Sequence, residues 1–296
     1  MPSLSQIALS VSDLERSLAW YENVLGLRRS GSTRLFRGPI MERITGIPDP
    51  VCRCAWMVDS QHRFQLELFE FERPMPRRHR DRGRDGIGYS ELAATVVDLD
   101  RAIGAAAGGR GGVDGEVGER RAALADPDGN VVVLTERDRR EPGRLRGRDG
   151  GPCAIRSIRL SVPDLSRSRR FFGGALGLRE ASAESIEAVE RGEGTAGTAY
   201  WADDLLVDLV SVPGAAPWPE RYSLSDIGIL NIAFATASGR SHRDLCRRIA
   251  SAGYRLNSRP ARFGLGAIVY VTDDQGFSVE LVHLTAIAAK RLGYFE

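Results

Sequence analysis

The run Asp13-Leu14-Glu15-Arg16-Ser17-Leu18-Ala19-Trp20-Tyr21, followed by Leu25-Gly26-Leu27, recurs as Asp164-Leu165-Ser166-Arg167-Ser168-Arg169-Arg170-Phe171-Phe172, followed by Leu176-Gly177-Leu178. Every matched residue is displaced by 151 positions, so the chain is a duplication and both copies must fold by the same rules. At 296 residues, each copy is long enough to bury a core of its own. The expected division is a paired domain over residues 1–138, a basic linker over 139–153, and a second paired domain over 154–296.

Each half divides again when its periodicity is read. Ile7, Leu9 and Val11 alternate with Ala8, Ser10 and Ser12, which is strand-like, and Asp13 is a natural N-cap for the helix that follows. Leu14, Leu18 and Tyr21 keep helical spacing until Gly26, a C-terminal glycine. Three more strands are expected near 32–37, 51–58 and 63–70, which makes the unit βαβββ. Similar units open near Glu91, Ile155 and Leu230, so the chain reads as an α+β fold of four modules. The second and fourth modules close through Asp126-Pro127-Asp128-Gly129-Asn130 and Asp273-Asp274-Gln275-Gly276-Phe277. The first of these lacks the ligand spacing of a calcium loop and is read as a turn. The arginine-rich stretch 73–86 is expected to be a solvated surface connection.

Composition narrows the function classes. A net charge of +2 gives no reason to expect nucleic acid or an anionic membrane as partner. No apolar run approaches the roughly 20 residues needed to span a bilayer, and Met1 to Gln6 has no signal-peptide character, so a cytoplasmic location is expected. Cys52, Cys54, Cys153 and Cys246 form no C-x-x-C pair, which points to neither zinc nor disulfides. Cys52 and Cys54 alternate on an expected strand and read as small core residues.

The repeated D-L-x-R-S-x-x-x-[YF] and L-G-L signatures, the four βαβββ units and the D-P-D-G-N turn resemble the vicinal oxygen chelate superfamily. That superfamily includes glyoxalase I, bleomycin-resistance proteins and extradiol ring-cleaving dioxygenases. The resemblance covers nearly the whole chain, and its four-module form is most similar to the type I extradiol dioxygenases. It implies paired modules whose sheets curl into open cups, with a metal held by residues of the first and last strands of each module.

In that superfamily the first-strand ligand, usually His, precedes the helix-capping Asp by seven residues. The same spacing here gives Gln6, Glu91, Ser157 and, ahead of Ser238, Asn231. The last-strand ligand, usually Glu, falls at Glu67, Val133, Asp208 and Glu280. With sequential modules paired, one cup is expected to offer Gln6, Glu67 and Glu91, and the other Asp208, Asn231 and Glu280 with Ser157. The resemblance places the two iron-binding His of the dioxygenases at Ser157 and Asn231, keeps their Glu as Glu280, and matches an active-site tyrosine to Tyr270. With both His absent, an iron triad has lost most of its nitrogen donation. Three oxygen donors suit Mg²⁺, Mn²⁺ or Ca²⁺ better than iron or zinc, and with no cofactor two close carboxylates would push one pKa up and create an acid or base.

The reading that follows is an enzyme acting on a small aromatic or polycyclic metabolite by acid/base or hard-metal-assisted chemistry, of isomerase, lyase or hydrolase type. Its candidate catalytic residues are Glu280, Tyr270 and Asp208 in one cup or Glu67 and Glu91 in the other, with Asn231, Ser157 and Gln6 contacting substrate. One alternative is a protein that sequesters a small molecule, using aromatics such as Trp56 and Trp201. Another is an extradiol-type dioxygenase with an unusual ligand set. Of the four histidines, His62 and His79 read as solvated and His242 as part of a polar helix turn, while His283 falls on the face of its strand opposite Glu280. A small molecule is the only partner expected, with room for a homodimer.

Overall fold

The structure is a computed structural model. It describes residues 1–59, 64–79, 86–106, 113–114, 120–136, 152–182, 195–212, 214, 222–263, 266–291 and 294. Most of the expected linker lies outside the described residues, as does His62.

Four modules follow one another as expected. The first contains β1 (Ser3–Ser10), α1 (Leu14–Leu25), β2 (Arg28–Arg37), α2 (Pro39–Thr45), β3 (Val51–Val58) and β4 (Gln65–Arg73). The second contains β5 (Gly88–Val96), α3 (Leu99–Ala105), β6 (Val113–Asp114), β7 (Arg121–Ala125) and β8 (Val131–Glu136). The third contains β9 (Cys153–Ser161), α4 (Leu165–Arg169) continuing as a π-helical turn over Arg170–Ala175, β10 (Arg179–Glu180), β11 (Ala196–Ala202) and β12 (Leu205–Ser211). The fourth contains β13 (Gly228–Ala235), α5 (Gly239–Ser251), β14 (Arg255–Leu256), β15 (Ala261–Phe263), β16 (Gly266–Thr272) and β17 (Ser278–Leu284), followed by α6 (Ala286–Arg291). Among the described residues no helix is long and apolar enough to cross a membrane.

The helix caps are those the sequence predicts. Asp13 accepts from the Arg16 amide, Asp98 from the Arg101 amide and Asp164 from the Ser166 and Arg167 amides. Gly26 ends α1 in the left-handed region at φ 69°, where a Cβ is disfavoured. The repeated turns work alike. Asp126 accepts from the Asp128 and Asn130 amides, and Asp273 from the Gln275 and Phe277 amides, so each acid closes its own turn.

The sheets are not partnered half by half. In the first sheet the strands run β14-β16-β17-β13-β1-β4-β3-β2, with β15 beside β16, so the first module joins the fourth. In the second sheet the order is β10-β11-β12-β9-β5-β8-β7-β6, so the second module joins the third. Both junctions are antiparallel pairs of first strands, β1 with β13 and β5 with β9. This corrects the expected sequential pairing of modules within 1–138 and within 154–296. Within a module the first strand pairs with the last and leaves its other edge free, and all four modules offer the same edge. The repeat therefore cannot choose a partner, and side chains such as Arg159, described below, must.

One continuous apolar core joins the two sheets. Ile7, Leu9 and Leu68 of the first sheet and Leu92, Ile155 and Leu160 of the second belong to it, together with Leu14, Leu18 and Tyr21 of α1. The Tyr21 hydroxyl donates to Asp126 at 2.9 Å, and the Tyr89 hydroxyl donates to the Ser278 carbonyl at 2.8 Å, so polar clasps also cross between modules. The stretch after β4 is less solvated than expected, because Arg77 and His79 both grip the buried Asp226, each at 2.8 Å.

Candidate functional site

Strand alternation sends Ile7 and Leu9 to the helix-backed core and turns Gln6 and Ala8 into the cup of the first sheet. On β4 the same rule turns Glu67 and Phe69 inward, and on β3 it turns Cys54 and Trp56 inward. From the fourth module, Ile268 and Tyr270 enter from β16, and Glu280 and Val282 from β17. Asn231 follows an irregularity where β13 slips against β1, beside Ala8. The four ligand-type positions of this cup are therefore Gln6, Glu67, Asn231 and Glu280. Neither expected set, Gln6 with Glu67 and Glu91 or Asp208 with Asn231 and Glu280, is brought together.

Each acid in the cup has an aromatic donor on the neighbouring strand. Trp56 is paired with Glu67 across β3 and β4, and its Nε1–H donates to Glu67 Oε1 at 2.7 Å. Tyr270 is paired with Glu280 across β16 and β17, and its hydroxyl donates to the Glu280 carboxylate. The Asn231 amide in turn hydrogen-bonds Tyr270, while Asn231 Oδ1 is buried with no hydrogen-bond partner. Cys54 Sγ lies 3.7 Å from Glu67 Oε1, and burial followed by the Glu67 charge pushes that thiol well up.

Both carboxyls are held above their ordinary range. For Glu67 the largest cause is burial, followed by the charge of Glu280, and the Trp56 bond only partly offsets them. For Glu280 the cause is again burial, opposed by the Tyr270 bond. Tyr270 is pushed well up by burial and then by the charges of Glu280 and Glu67. Tyr294, beyond α6, is also buried near the pair, and its phenol is raised by burial and then by the same two acids.

Gln6, Glu67, Tyr270 and Glu280 line one largely apolar cavity. Phe36 of β2 and Phe69 complete an aromatic wall with Trp56, while Met41 and Ile44 of α2 roof it. The roof helix lies between Gly38 at φ 87° and Gly46 at φ 72°, and Ile44 packs on Tyr270 and Ala261 of the fourth module.

The second sheet gathers the remaining candidates, Glu91, Ser157 and Asp208, with Val133 on β8. Here Arg159 stands between the acids: its Nη1 donates to Glu91 at 2.9 Å and its Nε to Asp208 at 2.8 Å, all three side chains being nearly fully buried. Ser157 and Asn231, the positions matched to the dioxygenase histidines, lie in different sheets. Asp208 likewise does not share a cup with Tyr270 and Glu280. Among the described residues, no group of three or more His, Cys, Asp or Glu is placed to hold a metal.

Sequence reasoning missed Arg159, Tyr294 and the roof helix. Arg159 follows Ser157 by two residues on an alternating strand, so an inward charge was visible there. Tyr294 carries no local pattern, and α2 is too short to show a clear apolar face.

A family model described as the Glyoxalase/Bleomycin resistance protein/Dioxygenase superfamily matches residues 3–134 and again 154–281. No curated protein sequence matches the chain. Among solved structures, glyoxalase I from Zea mays is 18% identical with a TM-score of 0.63, over 96% of this chain and 92% of that one. A "putative dioxygenase" from Bacillus subtilis is 14% identical with a TM-score of 0.65, over 95% of this chain and 84% of that one. At such identities the likeness is one of fold. With both halves matched in tandem, the chain belongs to the glyoxalase/bleomycin resistance protein/dioxygenase superfamily.

Proposed function

We propose that the cup holding Glu67 and Glu280 is the active site of an enzyme that moves a proton on a small aromatic or polycyclic molecule. The observation that carries this reading is a pair of buried carboxyls in one largely apolar cavity, each raised above its ordinary range. Such a pair shares a proton near neutral pH, so one member is a base and the other an acid. Removal of a proton by one and its return by the other gives an isomerase or lyase, and activation of a water gives a hydrolase. Tyr270, already donating to Glu280, is placed to turn its hydroxyl to an oxyanion that develops on the substrate. In the second cup Arg159 neutralises Glu91 and Asp208, which favours a structural role for those acids over a catalytic one.

The superfamily implies a metal in such cups, and the donors here can be tested for fit. The two carboxamides and two carboxylates of Gln6, Asn231, Glu67 and Glu280 offer oxygen only, and Asn231 Oδ1 is buried without a partner. They fit a hard ion such as Mg²⁺, Mn²⁺ or Ca²⁺ rather than iron or zinc. When bound, such an ion supplies Lewis-acid polarisation of a ligand oxygen.

The aromatic wall favours a second reading, sequestration of a small molecule without turnover. Incubation with a panel of aromatic and polycyclic compounds in D₂O separates the two. Deuterium incorporation seen by mass spectrometry, and lost in Glu67→Gln and Glu280→Gln, supports the enzyme. Stoichiometric binding with no exchange and no product supports sequestration.

A further inference from the structure

The lining of the cup is one-signed. Glu67 and Glu280 face the cavity, and among its described lining residues there is no Arg, Lys or His. The aromatic wall adds to the same sign. Ring centroids of Phe36 and Trp56 lie 6.1 Å apart at 86°, and those of Phe36 and Phe69 lie 6.4 Å apart at 44°. Trp56 spends its N–H on Glu67 at 2.7 Å, so what the indole has left to offer a guest is its π-system. Aromatic faces carry negative potential, and a cation near them is attracted most strongly where water is excluded. Met41 and Ile44 over the cavity supply that exclusion. Asn231 Oδ1, 2% exposed as a residue and unpartnered, adds a vacant acceptor beside Tyr270.

An anionic guest would meet two acids and no counter-charge. A neutral guest would leave the negative charge that remains on the proton-sharing pair uncompensated. We propose that the molecule this cup takes carries a positively charged organic group, a substituted ammonium, seated between the aromatic wall and the two acids. The inference rests on the reading of this cup as a small-molecule site and names the class of its ligand. A hard dication satisfies the same acids but keeps a shell of oxygen ligands and gains nothing from three rings. The rings are therefore what distinguish the organic cation from the metal.

The test uses chelator-treated protein and three probes: benzyltrimethylammonium, its uncharged isostere neopentylbenzene, and Mg²⁺ alone, each followed by tryptophan fluorescence and calorimetry. The expected result is that the ammonium binds about tenfold or more tightly than the isostere. Glu280→Gln and Phe36→Leu should each shrink that ratio. Equal or tighter binding of the isostere overturns the charge assignment, and so does Mg²⁺ binding with no uptake of the ammonium. If the isostere binds and Ile268→Trp, which fills the cavity, abolishes it, the small-molecule cup stands and only its charge preference falls. If neither organic probe binds, the cup reading and this inference fall together.

Discussion

Trp56 and Glu67, directly opposite each other on β3 and β4, are joined by an indole N–H to carboxylate hydrogen bond of 2.7 Å, and Tyr270 holds Glu280 in the same cross-strand relation on β16 and β17. The two modules thus bring equivalent devices to one cup: an acid on the last strand and an aromatic donor on the strand beside it. Duplication explains why both exist, and the partnering of the first module with the fourth explains why they meet. Trp56→Phe keeps most of the ring and removes the donor. The loss of a hydrogen bond to a buried charged group is expected to cost about 1.5–3 kcal/mol when Glu67 is ionised. Urea melts should show the cost in alkaline buffer and a smaller one in acid, where the protonated carboxyl asks less of its donor.

The raised carboxyls make stability depend on pH in a definite direction. A carboxyl whose folded pKa is raised keeps a proton that the unfolded chain has released. Its contribution is therefore fully present at acid pH and is lost as pH climbs from the ordinary carboxylate range through the folded value. Each unit of elevation corresponds to about 1.4 kcal/mol. Glu280→Gln removes one charge of the pair and the repulsion acting on Glu67. Between the ordinary carboxylate range and about pH 8, stability should fall less steeply for this variant than for the parent, and an unchanged slope would contradict the burial and repulsion described for the pair.

If a divalent ion occupies the cup, its loss should follow the acids that structure groups together. Elemental analysis of protein purified without chelators is expected to show any Mg, Mn or Ca lost in Glu67→Ala and in Glu280→Ala, and kept in Glu91→Ala and Asp208→Ala. The opposite pattern would move the working site to the second sheet.

Arg159 gives the second cup a different prediction. Arg159→Met strands Glu91 and Asp208 as buried acids without the guanidinium between them, a change that costs about 3–5 kcal/mol for a broken buried pair. Replacing all three by Arg159→Met, Glu91→Gln and Asp208→Leu should restore much of the loss, since both acids are removed together with the guanidinium between them. Thermal melts of the single and triple variants make the comparison. Because Glu91 and Arg159 come from different modules, the single variant also weakens a contact that favours the second module's pairing with the third.

Much of the fold was legible. Asp13, Gly26 and the Asp126 turn are local, with a cap or turn decided by a few neighbouring residues, and the spacing taken from the superfamily resemblance picked out Gln6, Glu67 and Glu280, which the structure places around one cavity. The grouping of those residues was not legible, because it depends on which free strand edges meet, and four near-equivalent edges look alike to any local pattern. For the same reason Glu91 and Asp208 were assigned to cups without Arg159, and the hydrogen bonds of Trp56 and Tyr270 to the acids, which require register across strands, were out of reach.

The roof over the cup offers a final prediction. At seven residues, α2 is too short to be stable alone, so its place is held by Met41 and Ile44 packing below it and by the left-handed glycines at its ends. Gly46 sits at φ 72° with nothing within 4 Å of where a Cβ would stand, so Gly46→Ala costs only the backbone strain of a left-handed L-residue, roughly 1–2 kcal/mol. That cost falls on the closed roof and not on the sheet beneath it. Amides of α2 should therefore exchange with solvent about tenfold faster in Gly46→Ala, while those of β1 and β4 keep the parent's protection. A uniform rise in exchange across the whole first sheet would instead show that the roof is an integral part of the core.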